Sequence, residues 1–406
     1  YKRQVNGVTG NLTAIAIKDM KSSEKTELLD GNDIDVKSMV EENCAGFVYG
    51  DMTSVAVSED GSKLAVAIQA ENYADTGRVA LFTCNADGTL TFDKVYETGV
   101  QPDMVTFASN DSKILTADEG EPRDGYGDGI IDPKGTVTII NLADQTVSQV
   151  DFTSYDNSDS WEQLVESGVI LKKNTNPSVD FEPEYIAVGD KTAYVTLQEA
   201  NAIAVIDLNQ QSLTGVYSAG YEDYSTCAVD IDKKDEAYKP AVYETLRGIR
   251  MPDGIATYHI NGVDYIVTAN EGDSREWGEY LNEDERNFGK GETSPTGKIT
   301  AENSGLTGKV VFFDSSDYDG LDSELDYLFG GRSFTVFKAD EKGLTEIYTS
   351  GNEFEAKTAG YEPEHFNCSN DNNDIDDRSG KKGVEAENVT IGNVGEKIYA
   401  FIGLER

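Results

Sequence analysis

Short stretches in which apolar and polar residues alternate recur along the whole chain. Alternation with a period of two is typical of strands that bury one face, and Gly, Asp, Asn and Lys at the ends favour turns. Such stretches cover residues 12–17, 77–82, 90–96, 135–140, 201–206 and 308–313. Spacing typical of helices is rare and predicts short helices over 161–166 and 323–328. The pattern therefore predicts an all-β protein.

One hairpin recurs in five imperfect copies, which start near residues 51, 103, 182, 252 and 385. In each copy the first strand begins beside an acidic residue, and the second strand is apolar and ends at another acid. The pairs Pro102-Asp103, Pro183-Glu184 and Pro252-Asp253 mark three of the beginnings. A third strand that opens with Gly or Asn is predicted in four copies, over 77–82, 135–140, 201–206 and 308–313, and a fourth strand follows. The repeating unit is therefore four consecutive strands.

Repeated units of four strands are typical of the blades of a β-propeller. We predict a single propeller domain over residues 1–406 with six or seven blades and insertions near 120–135, 150–180, 220–250 and 275–307. The gap between the last two copies contains a strand pattern over 332–337 and is expected to hold one further blade. A pair of β-sandwiches is the alternative, but sandwich strands do not repeat one motif in phase.

The charge balance narrows the range of partners. The chain carries 75 acidic and 34 basic residues, for a formal net charge of −41. Nucleic acids and anionic membranes need clustered Lys and Arg, so both are unexpected partners. Apolar runs long enough to span a membrane are absent from the sequence. We expect a monomer that binds a cation, or one whose acidic surface is only solvated.

Cysteine and histidine exclude several kinds of metal site. Cys44, Cys84, Cys227 and Cys368 are far apart with no Cys-x-x-Cys pair, which argues against a zinc ribbon or a thioredoxin-like motif. Cys84 and Cys227 lie in apolar stretches and are expected to be buried thiols. The two histidines of the sequence cannot form a three-His site.

The repeated acids are the main functional candidates. In a propeller the first strand of every blade lines the central channel, so the acids at both hairpin ends would gather around one opening. Like charges at short distance raise pKa values or require a cation, and Ca²⁺ suits several carboxylates in flexible geometry. The candidate metal ligands are Asp103, Glu119, Glu182, Glu184, Glu199, Asp253, Glu271, Asp273, Glu387 and Glu405. Arg275, Arg332 and Arg406 are the candidate ligand-binding residues, and Arg275 and Arg406 could instead pair with acids of neighbouring blades in an arginine–carboxylate network. Alternatively, each Pro-Asp or Pro-Glu pair only caps the turn that enters its strand.

Two further acidic tracts, 124–132 and 371–377, have the density of calcium loops without the spacing of an EF-hand, and the alternative for each is a solvated loop. Motifs for catalysis are scarce, since the sequence has no G-x-S-x-G, P-loop or H-E-x-x-H. Acids and arginines around one opening could support metal-assisted hydrolysis of a phosphoester. The same residues could equally bind a ligand without turnover.

Several ordered motifs resemble the choice-of-anchor I family of surface β-propellers. They lie at 102–104, 117–122, 181–188, 197–199, 269–275, 332–334 and 401–406. The resemblance implies a secreted or wall-anchored β-propeller, and it predicts an incomplete closing blade in this chain. Some relatives are described as atypical alkaline phosphatases. The segment 384–387 reads Val-Glu-Ala-Glu where the family usually has Glu-Pro-Glu, so that turn is less rigid. Our first hypothesis is a non-catalytic extracellular propeller that presents an acidic, cation-loaded opening to a small ligand or a surface partner, with Ca²⁺ as the candidate cation. The second is a calcium-dependent phosphohydrolase.

Overall fold

The computed structural model describes residues 10–15, 31–234, 236–340 and 343–406. These residues form mainly antiparallel β-structure, which confirms the all-β prediction. They divide into two compact units. Unit 1 comprises the described residues up to Glu121 together with Ile131–Asp151, and unit 2 comprises Pro122–Ile130 and Phe152–Arg406.

Unit 1 contains a short hairpin, a helix and two sheets of four strands each, with the strands of each sheet in sequence order. Its elements are β1 (Asn11–Ile15), β2 (Gly31–Asp35), α1 (Val36–Asn43), β3 (Tyr49–Val57), β4 (Lys63–Ala70), β5 (Thr76–Cys84), β6 (Leu90–Val100), β7 (Pro102–Ala108), β8 (Lys113–Asp118), β9 (Thr136–Asn141) and β10 (Val147–Val150). Asp35 caps α1 by accepting a hydrogen bond from the Ser38 amide at 2.9 Å. The strand predicted over 12–17 appears as β1, and residues 16 and 17 lie outside the described residues.

Unit 2 contains the third and fourth four-stranded sheets, β12–β15 and β18-β19-β26-β27, and a final hairpin, β28–β29. Its elements are α2 (Ser158–Glu166), β11 (Leu171–Lys172), α3 (Pro177–Asp180), β12 (Pro183–Val188), β13 (Thr192–Leu197), β14 (Ala202–Asp207), β15 (Ser212–Ser218), β16 (Tyr221–Asp223), β17 (Leu246–Ile249), β18 (Ile255–Ile260), β19 (Val263–Asn270), β20 (Glu276–Trp277), β21 (Tyr280–Leu281), β22 (Glu283–Asn287), α4 (Ala301–Ser304), β23 (Lys309–Phe313), β24 (Tyr318–Asp319), β25 (Asp326–Phe329), β26 (Ser333–Asp340), β27 (Gly343–Thr349), α5 (Glu353–Tyr361), β28 (Ala386–Val394) and β29 (Lys397–Leu404).

Two sequence predictions are wrong in unit 2. The stretch 308–313 was expected to be the third strand of the fourth copy, but it forms β23 and pairs with β22 instead. The third place in the fourth sheet belongs to β26, which pairs with β19 from Tyr265–Lys338 to Asn270–Ser333. The helix expected over 323–328 is absent, because Asp326–Phe329 forms β25 and pairs in parallel with β17. The helix expected over 161–166 is present as α2.

Consecutive sheets pack face to face within each unit. In unit 1 the first two sheets share a buried cluster that includes Ala65, Val79, Val105 and Ile114. In unit 2 the third and fourth sheets meet through Tyr194, Ile203, Ile266 and Phe337, among others. The fourth sheet meets the hairpin β28–β29 through Val267, Ala269, Ala386 and Val389. Burial of each large apolar side chain contributes about 1.5–3 kcal/mol, so these clusters hold neighbouring sheets together.

Membrane-spanning helices and cysteine pairing can both be checked in the structure. The part of the chain that the structure describes has no helix both long and apolar enough to cross a membrane. The four cysteines are unpaired and partly exposed, so the expectation of fully buried thiols at Cys84 and Cys227 is wrong. Burial nevertheless raises the pKa of both thiols.

Candidate functional site

The two acid-bearing ends of each predicted hairpin lie side by side. Pro102 is paired with Asp118 across β7 and β8, and the amide of Glu119 donates to the carbonyl oxygen of Gln101 at 3.0 Å. The same contact joins Glu405 to Glu385 at the ends of β28 and β29, at 2.8 Å. This geometry confirms that acids at the start of a first strand and at the end of a second strand share one end of the hairpin.

The structure places the ten candidate metal ligands in both units, and their convergence around one opening stays a prediction. Asp103 and Glu119 belong to unit 1, where Glu119 is buried and Asp103 half-buried. In unit 2, Glu182, Asp253 and Glu271 are buried, Glu184, Glu199, Glu387 and Glu405 are half-buried, and Asp273 is exposed.

Three carboxylates of unit 2 form the tightest acidic group. Glu271 follows β19, Glu385 precedes β28 and Glu405 follows β29, and one oxygen from each lies within 4.8 Å of the others. We call these three residues the carboxylate cluster. Among the described residues, no other set of three His, Cys, Asp or Glu side chains converges in this way. The tracts 124–132 and 371–377 therefore supply no such set. Asp376 in the second tract is instead buried and accepts a hydrogen bond from the Ser379 hydroxyl.

Basic groups surround the carboxylate cluster. The Lys382 ammonium lies 3.0 Å from Glu271, 3.3 Å from Asp273 and 3.4 Å from Glu385. The Arg378 Nε donates to Glu385 at 2.7 Å. Arg406 lies 3.3 Å from both Glu385 and Glu405, so this candidate ligand-binding residue is at the cluster. The cluster is thus a network of alternating charges rather than an acidic patch alone.

The surroundings give the three carboxyls different proton affinities. Burial disfavours the charge on Glu385, but Lys382 and Arg378 outweigh it and lower its pKa to about 2. Burial raises the pKa of Glu405 to about 7, and hydrogen bonding to ionised Glu385 contributes to this shift. Burial also raises the pKa of Glu271, although Lys382 acts against that shift. Glu405 and Glu271 are therefore the two carboxyls of the cluster whose charged forms are disfavoured, while Glu385 is ionised.

The local charge count favours a divalent cation. Asp273 and Glu387 both act electrostatically on Glu271, which brings the carboxylates at this place to five. Lys382, Arg378 and Arg406 supply three positive charges. When all five carboxylates are ionised, two negative charges remain, and one Ca²⁺ would neutralise both. Carboxylate oxygens from separate segments are the ligands that Ca²⁺ prefers.

The entry of β28 lies very close to the entry of β18. The Gly254 amide donates to the carbonyl oxygen of Glu387 at 2.9 Å, and a Cβ on Gly254 would lie 2.6 Å from that oxygen. Only glycine permits this approach without displacement. At the residue just before a first strand, Gln101 and Glu385 both adopt positive φ, at 55° and 49°. In Glu385 this conformation accompanies complete burial of the side chain.

Burial argues against direct ligand contacts for two of the candidate arginines. Arg275 is 2% exposed, and its guanidinium bonds to the carboxylate and the carbonyl oxygen of Asp180 and lies 3.7 Å from Glu182. Arg332 is 1% exposed and bonds to Glu355 at 2.7 Å. A buried guanidinium that already has carboxylate partners has little capacity to bind a further anion.

Arg332 instead positions the cluster. Its guanidinium donates to the carbonyl oxygens of Ser379 at 2.7 Å, Lys381 at 3.0 Å and Asp230 at 2.6 Å. These bonds fix the backbone immediately before Lys382. Arg332 therefore holds the segment that carries Lys382 and Glu385.

Sequence reasoning missed Lys382 and Arg378 as site residues. For the last hairpin it weighed Glu385 and Glu387 and retained Glu387 alone. The alignment of the hairpins places Glu385 at the position of Gln101 and Met251, which are both buried, and that position indicates a buried Glu385. Lys382 and Arg378 lie outside the repeat, in an insertion for which the sequence offers no counterpart.

Comparisons with known proteins place the chain in a family. The mesenchyme-specific cell surface glycoprotein of Strongylocentrotus purpuratus is 28% identical over 309 residues, which cover 64% of this chain and 39% of that protein. Gigasin-3a of Magallana gigas is 34% identical over 93 residues, which cover 22% of this chain and 32% of that protein. The chain thus spans less than two-fifths of the length of either relative.

Solved structures align with lower similarity. A luciferin-regenerating enzyme aligns over 67% of each chain with 7% identity and a TM-score of 0.34. The glutaminyl cyclase of Myxococcus xanthus covers 54% of this chain and 68% of its own, with 10% identity and a TM-score of 0.25. These scores are too low to support an argument about the fold. The choice-of-anchor I domain matches residues 4–406, and the chain belongs to that family.

Proposed function

We propose that this chain is an extracellular or cell-surface domain that binds Ca²⁺ at the carboxylate cluster and uses the bound cation to hold a ligand or a surface partner. The convergence of the Glu271, Glu385 and Glu405 oxygens within 4.8 Å carries the proposal. The excess of two negative charges and the raised pKa of Glu405 support it. The surface location is supported by family membership and by a relative named as a cell surface glycoprotein.

We also infer that the four-stranded sheets are blades of one β-propeller of six or seven blades. Each of the four sheets keeps its strands in sequence order, and consecutive sheets pack face to face within a unit. A closed ring predicts a compact particle with a radius of gyration of about 22 Å for a chain of this length. Small-angle X-ray scattering tests this value, and two separated lobes with a clearly larger radius would contradict the ring.

Calcium titration of chelator-stripped protein tests the cation site. We expect calorimetry to show saturation near one equivalent, and Ca²⁺ at about 100 times its dissociation constant to stabilise the fold by about 2.7 kcal/mol. Glu405→Gln should weaken binding at least tenfold, because it removes an anionic ligand. Glu396→Gln is the matched control, since Glu396 is an exposed acid at the opposite end of the same hairpin. Absence of calcium binding, or equal loss in both variants, would refute the site.

The same samples separate binding from phosphoester hydrolysis. All three basic groups at the cluster already contact carboxylates, so a phosphate would have to displace one of these contacts. We therefore expect no release of phosphate from p-nitrophenyl phosphate with Ca²⁺ supplied. Release that is abolished by chelator and by Glu271→Gln would establish the hydrolase instead.

A further inference from the structure

A second concave site lies in unit 2, formed by the start of α2 and the turn before α3. Its volume is about 360 Å³, near the lower end of the range for small-molecule sites. Residues 156–158, Trp161 and 174–177 line it. None of these residues belongs to the carboxylate cluster or to the repeated hairpin motif.

Hydrogen bonds fix the frame of this pocket. The Asp156 carboxylate accepts from the Ser178 amide at 2.9 Å and from the Ser178 hydroxyl at 2.7 Å, which ties the two segments together. Asn157 caps α2 by accepting from the Ser160 amide at 3.0 Å. Beneath them, the rings of Phe152 and Phe181 pack edge to face with centroids 5.2 Å apart. The lining is therefore held in place before any ligand arrives.

The lining side chains that make no hydrogen bond within the protein are all neutral. Within the described chain, the side chains of Asn174, Thr175 and Asn176 and the indole N–H of Trp161 make no hydrogen bond. Asn174 and Asn176 are exposed, and Trp161 is half-buried. Amides and a hydroxyl both donate and accept, while an indole offers a flat apolar face and one donor. Asp156 is the one charged residue in the lining, so the pocket carries little of the chain's excess charge.

We propose that this pocket binds a neutral saccharide. A sugar ring presents C–H groups on its faces, which pack against an indole, and hydroxyls around its edge, which both donate and accept hydrogen bonds. Trp161 would stack against one face, and Asn174, Thr175 and Asn176 would bond to the hydroxyls. A volume of about 360 Å³ holds one or two sugar rings. This site does not depend on the proposed cation site.

Tryptophan fluorescence provides the test, because Trp161 and Trp277 are the two tryptophans of the sequence. Trp277→Phe leaves Trp161 as the reporter. The probes are the methyl glycosides of glucose, galactose, mannose and N-acetylglucosamine, with maltose, cellobiose and lactose, each to about 50 mM, a range suited to millimolar affinity. We expect at least one probe to shift the Trp161 emission saturably, with a dissociation constant of about 0.1–10 mM. A panel without any saturable response would overturn the proposal.

Variants separate the pocket from general surface effects. Asn174→Ala and Asn176→Ala should each weaken binding about two- to tenfold, as expected for loss of one hydrogen bond. Asn209→Ala, at an exposed turn of the same unit, should not. Trp161→Ala should abolish the saturation-transfer NMR signal of the bound probe while the melting temperature confirms folding. Unchanged affinity in both asparagine variants would refute the proposal. Loss of binding in EDTA would show that the sugar binds at the cation site, and this result would also overturn the proposal.

Discussion

Replacing Asp118 with Asn should stabilise the protein at neutral pH. Asp118 ends β8 and is fully buried. Its Oδ2 accepts from the Thr138 hydroxyl at 2.6 Å and the Gly99 amide at 3.1 Å, and its Oδ1 accepts from Thr116 at 2.7 Å. Burial nevertheless dominates these bonds and raises the pKa of this carboxyl from 3.8 to about 6.

The raised pKa of Asp118 determines both the sign and the size of the change in the free energy of unfolding. Between pH 3.8 and about 6 the folded chain binds the Asp118 proton more tightly than the unfolded chain, so stability falls as pH rises through this window. The full cost above pH 6 is about 3 kcal/mol, at 1.36 kcal/mol per pH unit. Asp118→Asn removes the ionisation. The gain in the free energy of unfolding should therefore grow from near zero at pH 4 to about 3 kcal/mol at pH 7.5.

The chain already contains a buried asparagine at an equivalent position. Thr268-Ala269-Asn270 in the fourth sheet corresponds to Thr116-Ala117-Asp118 in the second. Asn270 is also buried and donates to the hydroxyls of Ser333 and Thr335, at 2.9 and 2.8 Å. At position 118 the Gly99 amide requires the opposite orientation, in which the amide oxygen accepts from Gly99 and the NH₂ group donates to the Thr116 hydroxyl.

Hydrogen exchange of the β8 and β9 amides in urea, followed by mass spectrometry, measures the opening of this unit alone. Asp144→Asn is the control. The exposed Asp144 carboxylate accepts a hydrogen bond from Thr146, which lowers the pKa of Asp144. The contribution of Asp144 to the free energy of unfolding therefore changes only in more acidic solution. The expected result is a difference in the free energy of unfolding between Asp118→Asn and wild type that grows with pH. If this difference stayed constant from pH 4.5 to 7.5, or if wild type were more stable at pH 7.5, the hydrogen bonds would outweigh desolvation.

Three further predictions concern the cluster. Because the pKa of Glu405 is about 7, its ionised fraction falls about tenfold from pH 8 to pH 6. Calorimetry should show the calcium affinity falling by the same factor, and Glu405→Gln should remove this pH dependence. Lys382→Met removes an internal competitor for the carboxylates, so differential scanning calorimetry should show a larger gap between the melting temperatures in Ca²⁺ and in EDTA than for wild type. Arg332→Lys leaves Glu355 incompletely paired in the interior, and urea unfolding should show a loss of about 3 kcal/mol or more.

Local patterns account for what the sequence predicted correctly. Strands such as β5, β9 and β14 follow from alternation and flanking turn residues, which act over a few residues. The acid-bearing hairpin ends follow from antiparallel pairing, since a short turn leaves the first and last residues opposite each other. These inferences need no knowledge of distant contacts.

Pairing across long insertions did not follow from the sequence. Both β23 and β26 are apolar strands after β19, and alternation cannot show which of them hydrogen-bonds to it. Proximity in sequence favours β23 as the partner of β19. In the structure β23 pairs with β22, a strand within the insertion. The role of Arg332 was missed for the same reason, because its partner Glu355 lies in another segment. Pairing of Arg275 with an acid of another segment was expected, but its complete burial against Asp180 was not.

The insertions, rather than the repeats, determine the chemistry at each hairpin end. The acids after β13 and β19, Glu199 and Glu271, occupy equivalent backbone positions, yet an insertion supplies Lys382 to Glu271. Arg332 in turn fixes the backbone of that insertion. The repeated hairpin thus brings carboxylates to one end because every copy pairs in the same way, while the inserted segment sets how many of those charges remain uncompensated. We propose that a cation site arises where the basic groups are fewer than the gathered acids, and at the carboxylate cluster five carboxylates stand against three basic groups.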